Sequence, residues 1–313
     1  MKKLALAASV MALFAGAASA ETVGVSIVNF DNNFQTLLRQ GIQDRADAVG
    51  VDVQIEDAQN DSAKQLDQIN NFIASGVDAI IVTLVDTAAS PAITAAAQAA
   101  NIPLVYVNRQ PVNVETLPDN QAFVASNEVE SGTLETIQMC DNWAAEGKTE
   151  VNVFVMQGEL SNQAAVQRTQ DIYDVIEAGK CKVKINVIDQ QTANWSRDQA
   201  QTLMTNWLST GKAFDGVIAN NDEMAIGAIQ AMKAANIDMA TVQVGGVDAT
   251  QDALAAMQAG DLDVTVFQNA AAQGSGALDA ATKLAAGEAV DQKVYVPFEL
   301  VTPANVADYL AKN

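Results

Sequence analysis

Short apolar runs rich in β-branched residues alternate with longer amphipathic ones along nearly the whole chain. Val23-Gly24-Val25-Ser26-Ile27-Val28 predicts a strand buried on both faces. Phe34, Leu37, Leu38, Ile42, Ala46 and Val49 follow at helical spacing, with Asp31, Asn32 and Asn33 available as caps and Gly50 as the stop. Strands are expected again at residues 51–56, 78–83 and 104–107. Between them Ser62 caps a helix through Leu66, Ile69 and Ile73, and Ser90-Pro91 opens an alanine-rich one, proline being favoured in a first helical turn. Past a loop region at residues 111–118, a second series places strands at 151–156, 184–188, 216–219, 242–247 and 264–267. Helical patterns at 199–208, 222–235 and 251–259 separate them. Strands alternating with helices imply parallel sheets with right-handed crossovers. The expected fold class is therefore α/β, with two doubly wound parallel-sheet lobes and no low-complexity tether between them.

The start of the chain does not share this rhythm. Met1-Lys2-Lys3 is basic, residues 4–17 are mostly apolar, and Ala18-Ser19-Ala20 fits the small-x-small pattern of an export signal. The apolar run is too short for a comfortable membrane span. Residues 1–20 are expected to be a signal peptide cleaved after Ala20, leaving a soluble, exported mature chain.

Charge and composition then narrow the chemistry. Among 313 residues 17 are basic and 38 acidic, a formal charge of -21 that becomes -23 once Lys2 and Lys3 leave with the signal. That sign disfavours nucleic acid and anionic membrane surfaces as partners. The chain has no histidine. Ser-His-Asp and Cys-His nucleophiles, histidine-ligated metals and a histidine general base are excluded together. The two cysteines, Cys140 and Cys181, would enter an oxidising compartment, where one disulfide is permitted; two buried free thiols are the alternative. No metal and no cofactor are expected.

In open α/β sheets, ligands bind beyond the carboxyl ends of the strands. The residues just past the predicted strand ends are Asn32, Phe34, Asp86, Asn108 and Arg109 in the first series. In the second they are Asn194, Trp195, Arg197, Asn220, Asn221, Asp222, Asp248, Gln268 and Asn269. Amides, carboxylates and arginines supply both donors and acceptors, which suits a small neutral polyol whose hydroxyls do both. Phe34 and Trp195 could pack on the C–H face of a ring. Each residue also has a plain structural reading. Asn221 or Asp222 could simply cap the next helix, Trp195 could be a core residue, and Arg109 and Arg197 could be solvated surface charges.

At these strand tips the chain resembles the periplasmic sugar-binding proteins of bacterial ABC importers, the ribose-binding type, over essentially its whole expected mature length. Asp31-Asn32-Asn33-Phe34, Asp57-Ala58-Gln59-Asn60-Asp61, Asn220-Asn221-Asp222-Glu223-Met224-Ala225-Ile226-Gly227-Ala228, Gly245-Gly246-Val247-Asp248-Ala249-Thr250 and Val266-Phe267-Gln268 carry the likeness in order and spacing. The resemblance implies two lobes joined by a three-stranded hinge. The first would be residues 21–125 plus 269–297, the second residues 126–268 plus 298–313. It places ligand contacts on Asn32, Phe34, Asn108, Arg109, Arg168, Trp195, Asn221, Asp248 and Gln268. It further implies a monomer that closes on its ligand and serves an inner-membrane ABC permease, with a chemoreceptor as a further candidate partner.

Departures from the ribose-type pattern bear on the ligand. Asn33 replaces a proline, Gln35 a second phenylalanine, Thr83 an asparagine and Asn108 an aspartate. Residues 105–109, 191–197 and 269–274 instead resemble the inositol-binding branch. A cyclitol such as myo-inositol is the leading ligand, with a pentose or hexose such as ribose or galactose as the alternative. A repressor of related architecture would carry a basic helix-turn-helix where this chain carries its signal. An exported glycosidase-like enzyme with a carboxylate pair drawn from Asp86, Asp222 and Asp248 is the reading from a different class. It is weaker, because two of those aspartates lie in the binding motifs; no enzyme activity is expected.

Overall fold

The computed structural model describes residues 21–312. The expected signal peptide, residues 1–20, lies outside them. The chain folds into two α/β lobes, each built on a parallel sheet.

The first lobe opens with β1 (Thr22–Ile27), α1 (Asn33–Val49), β2 (Asp52–Asp57), α2 (Ser62–Ser75), β3 (Ala79–Val82), α3 (Ser90–Ala100), β4 (Leu104–Val107) and β5 (Gln121–Ala125). The chain then builds the second lobe. Its elements are α4 (Glu128–Ala145), β6 (Glu150–Gln157), α5 (Gln163–Glu177), β7 (Lys184–Thr192), α6 (Arg197–Ser209), β8 (Gly216–Ala219), α7 (Asp222–Ala234), β9 (Gln243–Gly245), α8 (Gln251–Gln258) and β10 (Thr265–Phe267). It returns to the first lobe for α9 (Ala270–Ala285) and β11 (Lys293–Tyr295), and ends in β12 (Glu299–Val301). The chain therefore passes between the lobes after β5, after β10 and after β11. The first sheet runs β11-β5-β4-β3-β1-β2, the second β7-β6-β8-β9, and β10 pairs antiparallel with β12.

The central strands are buried on both faces, as their unbroken apolar runs require. Val25 sits in register between Ile55 and Ile81. Each such side chain contributes about 1.5–3 kcal/mol when fully removed from water. Helices α1 and α9 pack closely against each other across Gly41 and Gly274. A Cβ on Gly274 would fall 2.5 Å from the Leu38 carbonyl oxygen, so only glycine permits that approach. In the second lobe the Sγ atoms of Cys140, on α4, and Cys181, just before β7, are bonded, with their Cα atoms 5.4 Å apart.

Strand β5 was not anticipated, although all five of its residues are buried. The helix expected to begin on a Ser62 cap is capped instead by Asp61, whose carboxylate accepts from the Ala63 and Lys64 amides. Strand β7 runs four residues further than its apolar stretch, because paired edge residues need not be hydrophobic. Among the described residues no helix is long and apolar enough to cross a membrane.

Candidate functional site

The two lobes face each other with the carboxyl ends of their sheets, and the loops leaving those ends line a small cavity between them. It is lined by Asn32, Phe34, Gln35, Asn108 and Arg109 from the first lobe. Glu128, Asn162, Ala164, Arg168, Trp195, Asn221, Asp248 and Gln268 complete the wall from the second lobe and the crossings. All nine residues singled out from the sequence as ligand contacts are thus in one wall. Gln35, Glu128, Asn162 and Ala164 were not among them.

Three helix N-termini, of α1, α5 and α7, end at this wall, and each is capped by an asparagine. Oδ1 of Asn32 accepts from the Gln35 amide, that of Asn162 from Ala164 and that of Asn221 from Met224. Capping therefore uses the acceptor half of each side chain and leaves the Nδ2 donor as the group available to the cavity. The structural and functional readings of these residues are compatible.

The strand exits are also where the backbone is least relaxed. Asn108 (φ 66°), Trp195 (φ 61°) and Asp248 (φ 126°) hold positive φ values. Asparagine tolerates this region; tryptophan and a residue near φ 126° do not do so without cost, about 1–3 kcal/mol each. The turn at Trp195 lays its indole flat against Gly158, where any Cβ would meet the ring at 2.2 Å. The ring is a fixed platform.

Arg168 organises the floor. Its Nε and Nη2 donate to both Glu128 carboxylate oxygens at 2.7 and 3.0 Å, Nη1 donates to the Asn220 carbonyl at 2.7 Å, and Nη2 also reaches Gln268 Oε1 at 3.2 Å. Asp248 Oδ1 lies 3.9 Å from Nη1. Burial disfavours the cation, but Glu128 and Asp248 outweigh it and hold Arg168 above its ordinary range. Burial pushes the Asp248 carboxyl well up; Arg168 pulls it back, while Asp222 and Glu128 add to the rise. The floor is thus a fully buried network in which donors and acceptors alternate.

In the opposite wall Arg109 is 5% exposed. Its Nη1 donates to the Leu84 and Val85 carbonyls at 3.2 and 3.1 Å and pairs with Glu159 of the second lobe at 3.0 Å. Two further contacts join the lobes beside the cavity. Asn33 Nδ2 donates to Glu223 at 2.7 Å, and the Thr87 hydroxyl to the Ser161 carbonyl at 2.9 Å. The structure is a closed one.

Several strand-tip residues lie elsewhere. Asp86 caps a short 3-10 turn through the Ala88 amide. Asn194 and Arg197 line the outer mouth, where Arg197 pairs with Glu223 and Asp252. Asn269 caps α9. Asp222 is buried beneath the floor, accepting from the Thr265 hydroxyl at 2.7 Å and the Thr250 amide at 2.8 Å, and burial pushes its carboxyl up to about 7. Asn220 likewise works inside the lobe, its Oδ1 accepting from the Gly158 amide and the Thr169 hydroxyl.

Residues 23–289 match the family described as "Periplasmic binding protein domain". The chain belongs to the periplasmic binding protein family. This periplasmic binding protein is 59% identical to a Rhizobium meliloti protein with the provisional name rhizopine-binding protein, the match spanning all of both chains. A solved ABC-transporter solute-binding protein from Bacillus halodurans with bound myo-inositol is similar at 39% identity and a TM-score of 0.87. That likeness covers 95% of this chain and 100% of the other. The Caulobacter myo-inositol binding protein, solved with myo-inositol, is similar at 30% identity and a TM-score of 0.81, covering 93% and 96%. The type I architecture with two parallel-sheet lobes is common to them.

Proposed function

We propose that this chain is the periplasmic solute-binding component of an ABC importer, that it encloses a cyclitol between its lobes, and that it presents the loaded form to an inner-membrane permease. The observation that carries the reading is the composition of one enclosed wall. Residues from both lobes bring amide donors, two buried carboxylates, two arginines and two aromatic rings to one small space.

Within this reading Phe34 and Trp195 pack on the ring's C–H surfaces. Asn32, Asn108 and Asn221 offer amide donors, Arg109 and Arg168 donate from opposite walls, Asp248 accepts from hydroxyls, and Gln268, whose Oε1 accepts from Arg168, donates through its amide nitrogen. Residues 21–125 with 269–297 and residues 126–268 with 298–313 form the two lobes, and the three crossings between them are the hinge. Residues 1–20 direct export.

The inositol-bound relatives and the relative named for a rhizopine, an inositol derivative, support a cyclitol over a pentose or hexose. The carboxylates in the wall, Glu128 and Asp248, both face Arg168. That favours a hydrogen-bonding role over the carboxylate pair of a glycosidase, and the protein is read as a binder, not an enzyme.

Isothermal titration calorimetry with myo-inositol, ribose and galactose tests the ligand class. Myo-inositol is expected to bind at least about tenfold tighter than either sugar, a difference of ~1.4 kcal/mol. A sugar binding tighter than myo-inositol by that margin would overturn the cyclitol assignment.

A further inference from the structure

Gln35 stands where the ribose-type pattern carries a second phenylalanine, in the first turn of α1, and it lines the cavity while only 5% exposed. Its side chain begins a run of hydrogen bonds with a single direction. Gln35 Nε2 donates to Asn108 Oδ1 at 3.1 Å, Asn108 Nδ2 donates to Gln273 Oε1 at 3.3 Å, and Gln273 Nε2 donates to Ser126 Oγ at 2.9 Å. Gln273 and Ser126 are themselves buried, and Ser126 lies on the first crossing between the lobes. Because each amide in the run uses its nitrogen toward the next residue, Gln35 is left with its carbonyl oxygen facing elsewhere. That Oε1 atom is shielded from solvent and has no hydrogen-bond partner in the protein. A buried amide acceptor with no donor is costly, and such atoms in native proteins call for a physical explanation.

We propose that Gln35 is a specificity-determining residue of the site, its Oε1 accepting a hydrogen bond from one hydroxyl of the bound polyol. This rests on the polyol reading above. The amide run fixes the side chain and leaves Oε1 unpartnered beside the cavity, so the position demands a hydrogen donor from the ligand and rejects a ring that carries only C–H there. The same run separates the roles of two neighbours. Asn108 has its carbonyl and one amide hydrogen engaged by Gln35 and Gln273 and keeps only the second amide hydrogen for the ligand, whereas Gln35 keeps a full acceptor.

Calorimetry with myo-inositol and a panel of monodeoxy-inositols on wild type, Gln35→Met and Asn108→Ala tests this, with melting curves to show that each variant is folded. Methionine keeps the length of the side chain and removes the acceptor. Q35M should bind myo-inositol about tenfold more weakly than wild type. For one deoxy isomer, that lacking the hydroxyl read by Gln35, Q35M and wild type should bind equally, while N108A still weakens it. Equal binding of myo-inositol by Q35M and wild type overturns the proposal. So does the absence of any isomer that silences Q35M, or an isomer that silences both variants, which would make Gln35 a positioning residue for Asn108. In each of those cases the polyol reading stands; no binding of any polyol by wild type overturns both.

Discussion

Replacing Asp248 with alanine removes a carboxylate that is 4% exposed, aimed at the cavity and set 3.9 Å from the Arg168 guanidinium. In the loaded protein this group can accept two ligand hydroxyl hydrogens, and a hydrogen bond to a charged group is worth about 1.5–3 kcal/mol. Losing both amounts to ~3–6 kcal/mol, or roughly 150-fold to 25,000-fold in affinity. The empty protein should respond in the opposite sense. Burial and the neighbouring carboxylates already push Asp248 upward, so its removal relieves a strained charge distribution. Arg168 keeps its bidentate bond to Glu128 and its bond to the Asn220 carbonyl. The backbone adds a second lever, because φ at residue 248 is 126°. Asp248→Gly also abolishes the ligand contact but relaxes a conformation costing about 1–3 kcal/mol. The expected pattern is Kd raised at least ~100-fold in both variants. The ligand-free Tm should be unchanged or higher in the alanine variant and higher still in the glycine one. Calorimetry and melting curves on the same samples read both quantities. Wild-type affinity in either variant, or a large fall in Tm without loss of affinity, would refute the reasoning.

Burial raises Asp171 and Asp263 to about 6 and Asp222 to about 7, above their unfolded values, so the folded state holds more protons in that interval. Stability from these groups is fully present below about pH 4 and is lost as pH rises from there through 6–7; Tm should be higher at pH 5 than at pH 8, and Asp222→Asn should flatten that slope. Trp195 lines the cavity whereas Trp143 and Trp207 are buried in the second-lobe core. Ligand should change the tryptophan fluorescence of wild type and leave that of Trp195→Phe nearly unaltered, and a full signal in the variant would remove Trp195 from the wall. Glu159→Gln weakens the Arg109 clasp between lobes, a partly exposed pair worth ~1 kcal/mol or less. Affinity should fall under about fivefold, and small-angle scattering should show a larger radius of gyration for the ligand-free variant than for its saturated form.

What the sequence disclosed and what it hid follow from the range of the interactions involved. Double-sided burial wrote strands β3, β4 and β8 as unbroken apolar runs and β1 as one broken only by Thr22 and Ser26, and strand-to-helix alternation implied two parallel sheets. Strand β5 was harder because Gln121 opens it and two of its other four residues are alanine, which carries little strand signal, next to a loop containing Pro111 and Pro118. The strand-tip rule gathered Asn108, Trp195 and Asp248 correctly to one edge. It could not separate them from Asp222, whose carboxylate turns beneath the floor toward Thr250 and Thr265, since that choice depends on partners 28 and 43 residues away. Glu128 and Asn162 were missed for a related reason. Each precedes or opens a helix and reads as an ordinary first-turn residue until Arg168 or the α5 N-terminus is placed beside it. Gln35 was visible only as a departure from a pattern. Its meaning comes from Asn108, Gln273 and Ser126, which lie 73, 238 and 91 residues from it along the chain.

The claim that one polyol is held by both lobes at once is tested most directly by a crystal structure of the protein grown with myo-inositol. The ring is expected between Phe34 and Trp195. Asp248 and Arg168 should lie within hydrogen-bonding distance of its hydroxyls from the second lobe, and Asn108 and Arg109 from the first. A ring bound outside this cavity, or touched by residues of one lobe alone, would contradict it.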